Sequence, residues 1–97
     1  MSQTDNMRTA RIKRLIYRAS YTGMKETDLL LGQFAEHHLP DLDDEHLSQF
    51  EALLEAGDPA LLGWVKGDEA VPEAFDTAVF RLIKDFKISL YLYEINQ

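Results

Sequence analysis

A tight glycine corner between two helical patterns is the feature that most constrains this chain. Residues 14–39 read RLIYRASYTGMKETDLLLGQFAEHHL. Apolar residues recur three and four positions apart on both sides of Thr22-Gly23, which is the spacing of one helix face. Glycine adopts a positive φ without the penalty of a Cβ atom, so Gly23 is suited to ending the first helix. We therefore predict two helices joined by a sharp turn, with Glu26 just beyond it, and interpret the turn as a docking surface rather than an active site.

The rest of the pattern predicts three further helices and an all-α fold. We expect five helices at about residues 9–20, 24 or 25 to 38, 44–56, 59–66, and 71 to 86 or beyond. The 97 residues fit one domain. Short connections between helices are typical of a compact bundle. The widest apolar band is Leu29, Leu30, Leu31, Phe34 and Ala35, which predicts that the second helix is the most buried.

The two ends of the chain are set apart from the predicted bundle. We expect a flexible N-terminus over residues 1–7 and a helical domain over residues 8–87. Residues 88–97 alternate apolar and polar side chains as a strand does, but they also fit a continuation of the fifth helix.

Trp64, the single tryptophan, is expected in the core, with an interface anchor as the alternative.

Charge is distributed unevenly along the chain. Residues 1–25 carry six basic groups and one acidic group, whereas residues 26–97 carry four basic and sixteen acidic groups. The first helix is thus basic and the remainder acidic, with a net charge of −7. The simpler interpretation is internal neutralisation and a solvated helix face; the alternative is a surface for an acidic partner. We expect no nucleic-acid binding, because the acidic domain would repel phosphates and no recognised motif is present.

Residue types and spacings indicate a protein that is not an enzyme. The absence of cysteine excludes disulfides, thiolate nucleophiles and cysteine-based metal sites. His37 and His38 are adjacent, so they point about 100° apart and do not form an i, i+4 metal pair. No nucleotide-binding loop or serine elbow occurs. The polar start is not a secretory signal, and no apolar run approaches the roughly 20 residues that span a bilayer. We therefore expect no metal, no membrane insertion and no catalytic residues.

At the glycine corner the chain resembles the succinate dehydrogenase assembly factor family. The hallmark of that family is Arg-Gly-x-x-Glu between the first two helices, and the matching residues here are 22–26, Thr-Gly-Met-Lys-Glu. The segment LLLGQFAEHHLPDLDDEHLSQFEALLE is similar to the family's second and third helices. Residues 58–64, Asp-Pro-Ala-Leu-Leu-Gly-Trp, resemble its Asp-Pro-x-Leu-x-x-Trp stretch. The resemblance covers roughly residues 8–87.

The resemblance implies a protein-binding function. Family members promote covalent flavin attachment to the flavoprotein subunit of succinate dehydrogenase and, in bacteria, of fumarate reductase. The client would hold FAD and form the flavin bond, and this chain would bind no cofactor of its own. The family is compatible with the bacterial cytosol and with the mitochondrial matrix. We expect the bacterial cytoplasm, because the start of the sequence does not read as a transit peptide, and we expect the free protein to be a monomer. The implied partner-binding residues are Thr22, Gly23, Met24, Lys25 and Glu26, with Arg14, Arg18 and Tyr21 as flanking candidates.

One departure from the family motif leaves other functions open. Thr22 stands where the motif has arginine, and it lacks the guanidinium that binds a carboxylate through two hydrogen bonds. Arg18 and Lys25 are candidates to supply positive charge instead. One alternative follows from this departure: an interaction module that has lost the flavinylation role together with its arginine. A second is an antitoxin-like partner of a small membrane toxin, a label that bacterial members of the family have also carried.

Overall fold

Helices account for all the regular structure that the chain forms between residues 3 and 95. The computed structural model describes the backbone of residues 3–95 and the side chains of residues 6–57 and 59–87. Within these limits it contains no β-strand, which confirms the predicted all-α fold. The helices are α1 (Gln3–Ser20), α2 (Lys25–His38), α3 (Asp44–Ala56), α4 (Asp58–Lys66) and α5 (Ala78–Ile95), with short 3₁₀ helices at Leu39–Asp41 and Glu73–Phe75.

The predicted start of the first helix is wrong, because α1 begins at Gln3 rather than near Thr9. No apolar stripe marks this first part of α1. Polar contacts from Arg8 hold it to the chain before α3: its guanidinium donates to the carbonyl oxygens of Pro40, at 3.2 Å, and Leu42. Such contacts join distant segments and leave no periodic signal. The flexibility of residues 1–7 stays a prediction, and residues 1 and 2 lie outside the described part.

The last helix also begins later than predicted. We expected it to open at residue 71, but α5 starts at Ala78. Thr77 caps it, since its hydroxyl oxygen accepts a hydrogen bond from the Phe80 N–H at 3.3 Å. The side-chain oxygen of Gln49, in α3, accepts another from the second residue of α5, also at 3.3 Å. A contact from another helix therefore helps to set this boundary.

The structure decides between the two interpretations of residues 88–97. The backbone of α5 continues without interruption to Ile95, which confirms the helical alternative over residues 88–95. Residues 96 and 97 lie outside the described part of the chain.

Phe34 lies at the centre of the core. Its buried ring contacts aromatic rings from three directions, with centroid distances of 4.7 Å to His38, 5.7 Å to Phe50 and 5.8 Å to Phe86. These partners lie on α2, α3 and α5, so one side chain links three helices. The other buried apolar residues are Leu15, Ala19, Leu30, Leu31, Ala35, Leu39, Leu47, Leu53, Leu61, Trp64, Val65, Val79, Phe80 and Ile83.

Two predictions about apolar residues have different outcomes. Trp64 is buried and stacks on Phe75 at 5.0 Å between centroids, which confirms its predicted core position. Leu29 was expected in the buried band of α2, but it is 54% exposed. The packed face of α2 is therefore narrower than the apolar pattern, because neighbouring helices cover only part of the band.

A close helix crossing holds the end of α1 against the middle of α2. A Cβ atom at Gly32 would lie 2.8 Å from the hydroxyl oxygen of Ser20, which is closer than such contacts allow. The Ser20 hydroxyl itself donates to the carbonyl oxygen of Ile16 at 2.9 Å. Two small residues thus let the helices approach, and this crossing positions the turn that joins them.

Ion pairs join the basic helix α1 to the acidic helix α3. Arg8 lies 3.6 Å from Asp44, while Arg11 and Arg18 both pair with Glu51, at 3.7 Å and 3.5 Å. These contacts confirm internal neutralisation for the three arginines. Exposed pairs contribute only about 0–1 kcal/mol each, so their main consequence is that these cations are already partnered.

Candidate partner-binding site

The turn between α1 and α2 is closed by Thr22 and Asp28. Both the N–H and the hydroxyl of Thr22 donate to the same carboxylate oxygen of Asp28, at 2.6 Å and 2.5 Å. The hydrogen bond from the Thr22 hydroxyl is the main cause that holds the pKa of Asp28 below its ordinary value. Desolvation, the second-largest effect, raises the pKa, and the backbone N–H groups of Thr22 and Gly23 lower it further. Thr22 therefore has a structural role in this turn.

Gly23 forms the open point of the turn. Its φ of 113° lies in the region that side chains with a Cβ atom rarely adopt. No other heavy atom lies within 4 Å of the position where a Cβ would stand. The glycine is therefore required by the backbone and not by crowding, and its surface is free for another molecule to approach.

A shallow groove of about 630 Å³ runs from this turn to the corner between α3 and α4. Tyr17 and Tyr21 form one wall, with exposed fractions of 67% and 71% and ring centroids 4.8 Å apart. Large exposed aromatic side chains are enriched in protein interfaces. The lining residues are Tyr17, Arg18, Tyr21, Thr22, Gly23, Met24, Leu54, Gly57 and Pro59.

The structure brings most of the predicted binding residues together. Five of them line the groove: Arg18, Tyr21, Thr22, Gly23 and Met24. Lys25 and Glu26 are exposed on the first turn of α2, beside the groove but not in its wall. Arg14 is exposed on α1 and lines a different groove, with Arg8 and Arg11, that faces the start of α3.

Sequence reasoning missed several residues of this site. Tyr17 was detectable, because Tyr17 and Tyr21 are four residues apart and so share a helix face. Asp28, which accepts both hydrogen bonds of Thr22, was not among the predicted site residues. Leu54 and Pro59 come from the α3–α4 corner, and nothing local in the sequence indicates that this corner lies beside the turn.

One of the two candidate replacements for the missing arginine, Arg18, is already engaged. Arg18 pairs with Glu51 at 3.5 Å, so its charge is partly neutralised within the chain.

Among the described residues no group of three or more metal-binding side chains is found. No helix in the described part of the chain is long and apolar enough to cross a membrane.

These observations define a small all-helical protein that presents an open turn and an aromatic groove, as a protein-binding module does. Residues 13–87 match the family model described as the flavinator of succinate dehydrogenase. The match spans most of the chain, and the chain therefore belongs to this family.

Relatives in bacteria and eukaryotes support the same family. The FAD assembly factor SdhE of Acetobacter pasteurianus is 38% identical over 85 residues, which cover 87% of this chain and 77% of the relative. The mitochondrial succinate dehydrogenase assembly factor 2 of Dictyostelium discoideum is 38% identical over 72 residues, or 74% of this chain. The 2-B form of Drosophila melanogaster is 34% identical over 77 residues, or 77% of this chain. The chain spans about half the length of these two mitochondrial relatives, 51% and 49%.

Proposed function

We propose that this chain binds the flavoprotein subunit of succinate dehydrogenase and promotes its covalent attachment of FAD. Fumarate reductase is a second client of the same chemical type. Family membership supports the proposal, as do the names of the relatives, which are an FAD assembly factor and assembly factors of succinate dehydrogenase.

The observation that carries the proposal is the open turn at Gly23. The core packs around Phe34 elsewhere in the molecule, whereas this turn leaves a backbone surface uncovered beside two exposed tyrosines. A stable complex buries about 800 Å² on each side, so the groove would be the centre of a larger contact. The first turn of α2, with Lys25 and Glu26, would extend it.

In the proposed mechanism this chain binds and positions the client but does not catalyse. FAD belongs to the client, which would form the covalent flavin bond itself. The assembly factor holds the client in the arrangement that aligns the two reacting groups, which is a proximity effect. The hydrogen bonds from Thr22 to Asp28 keep the turn rigid, and Gly23 lets the two backbones approach. We also propose that the free protein is a monomer and acts in the bacterial cytoplasm.

Complementation of a deletion strain tests this function. The strain would carry the wild-type chain, Gly23→Arg or Gly67→Arg, and covalent flavin on the client would be measured by fluorescence after denaturing electrophoresis. Gly67 is the matched control, because it also has a positive φ, 83°, and open space around it, but lies outside the groove. Both variants place a side chain at a positive φ, and only Gly23→Arg places a bulky charge in the turn. We expect covalent flavin to be lost only with Gly23→Arg.

Normal covalent flavin in the deletion strain would refute the proposed function. If deletion instead released the toxicity of a small membrane protein, the antitoxin-like alternative would replace it. Comparing client binding by the wild type and Thr22→Arg tests whether the chain is an interaction module that has lost the flavinylation role. A gain of binding and flavinylation only with arginine would show that the natural chain has lost the role.

A further inference from the structure

We propose that the groove beside the turn receives an arginine side chain of the client. The inference rests on the proposed function, because it names the client group that binds at the same site. The guanidinium would stack on the rings of Tyr17 and Tyr21, and its positive charge would face the acidic first turn of α2.

The tyrosine pair supplies the geometry for such a guest. The two rings are tilted by 40° with centroids 4.8 Å apart, and both are more than half exposed, so ring surface remains open to solvent. Arginine stacks on aromatic faces better than lysine because its guanidinium is planar and more weakly hydrated. Met24, Leu54 and Pro59 line the same groove and offer apolar surface to the methylene part of an arginine side chain.

The hydrogen-bond donors of the turn argue against an anionic guest. The hydroxyl and N–H of Thr22 both point at Asp28, and the N–H of Gly23 also contributes to lowering the pKa of that carboxylate. Arg18 is the one charged side chain among the described lining residues, and Glu51 already pairs with it. The hydroxyl groups of Tyr17 and Tyr21 remain as donors. Phenylalanine variants remove only these hydroxyl groups, whereas alanine variants also remove the rings, so the two contributions can be measured separately.

An exposed carboxylate beside the groove favours a cation. The wall on the basic helix α1 carries Arg18, but Glu51 pairs with that charge. Glu26 is exposed and forms no salt bridge with any described residue. Lys25 is the opposing charge beside it. Removing either charge should therefore shift the affinity for a cationic guest in opposite directions.

A titration followed by NMR tests the inference with a defined probe. The full chain would be titrated with the peptide acetyl-Gly-Arg-Gly-amide and, as a control, with acetyl-Gly-Glu-Gly-amide. We expect the arginine peptide to shift the resonances of Tyr17, Tyr21 and Met24. The double variant Y17A/Y21A should bind it at least about fivefold more weakly, while Y17F/Y21F should bind it as the wild type does. E26Q should weaken binding, and K25Q should strengthen it.

Three results would overturn the inference: equal binding of the arginine peptide by Y17A/Y21A, preferential binding of the glutamate peptide in the groove, or weaker binding of the arginine peptide by K25Q. The tyrosines are exposed, so we expect the variants to keep the helical circular dichroism of the wild type. These peptide measurements do not depend on flavinylation. A negative result in the deletion experiment would refute the proposed client. A negative result in the titration would refute only the proposal that an arginine side chain binds in the groove.

Discussion

Replacing Gly23 by alanine measures how strongly the turn depends on its backbone conformation. The φ of 113° is open to glycine but strained for alanine, and such strain costs about 1–3 kcal/mol. A Cβ atom would meet no other heavy atom within 4 Å, so no steric clash adds to this cost. Alanine also reduces the entropy of the unfolded chain, which returns about 0.4–1 kcal/mol. We expect a net loss of about 1–2 kcal/mol in the free energy of unfolding.

Thermal and urea denaturation followed by far-UV circular dichroism would measure this loss. For a domain of this size, about 1 kcal/mol lowers Tm by about 4–8 °C, so we expect Tm to fall by about 4–16 °C. Gly23→Arg should lose about as much stability as Gly23→Ala, because its additional atoms extend into open space. Gly67→Ala, at a φ of 83°, is the matched control for strain away from the groove.

An unchanged or higher Tm for Gly23→Ala would refute this reasoning. It would mean that the turn relaxes to a conformation open to any residue, and that the glycine is not needed for the backbone. A much larger loss for Gly23→Arg than for Gly23→Ala would show that the turn is crowded, contrary to the open surface on which the proposed function depends.

Substitutions at three further positions test the packing that positions the turn. Gly32→Val should lower the free energy of unfolding by about 1–3 kcal/mol in urea titrations, because a Cβ already lies 2.8 Å from the Ser20 hydroxyl. Phe34→Ala should lower it by about 3–5 kcal/mol, a large part of the total, and Phe34→Leu by much less. Because the pKa of Asp28 is lowered on folding, the ionised carboxylate stabilises the folded protein above pH 3.8, its ordinary pKa. This stabilisation is lost as the pH falls below that value. Asp28→Asn should therefore destabilise the protein at neutral pH and converge with the wild type in acid.

Each of these variants has a result that would count against the structure. A fully stable Gly32→Val would mean that α1 and α2 do not cross closely there. A small effect of Phe34→Ala would contradict its central position in the core. If the stability difference between Asp28→Asn and the wild type did not change with pH, the carboxylate would not be the acceptor for Thr22.

Local patterns predicted most of the helices because helix formation is a short-range property. The bounds of α2 follow from apolar spacing between the Gly23 turn and Pro40. Those of α3 follow from apolar spacing and a capping residue, since Asp43 accepts from the His46 N–H at 2.9 Å. Where a boundary depends on another part of the chain, the prediction failed. Gln49 of α3 accepts a hydrogen bond from the first turn of α5, and Arg8, in the first part of α1, donates to the chain before α3.

The amino-acid sequence by itself determined the helices, the glycine corner and the family, because these depend on residues close together in the chain. Only the tertiary structure decided which apolar residues are exposed, such as Leu29, since burial depends on where neighbouring helices lie. It also decided that Thr22 closes the turn on Asp28 and that Pro59 lines the same groove as Tyr21. A groove between distant segments exists only after packing, and no local pattern of residues encodes it.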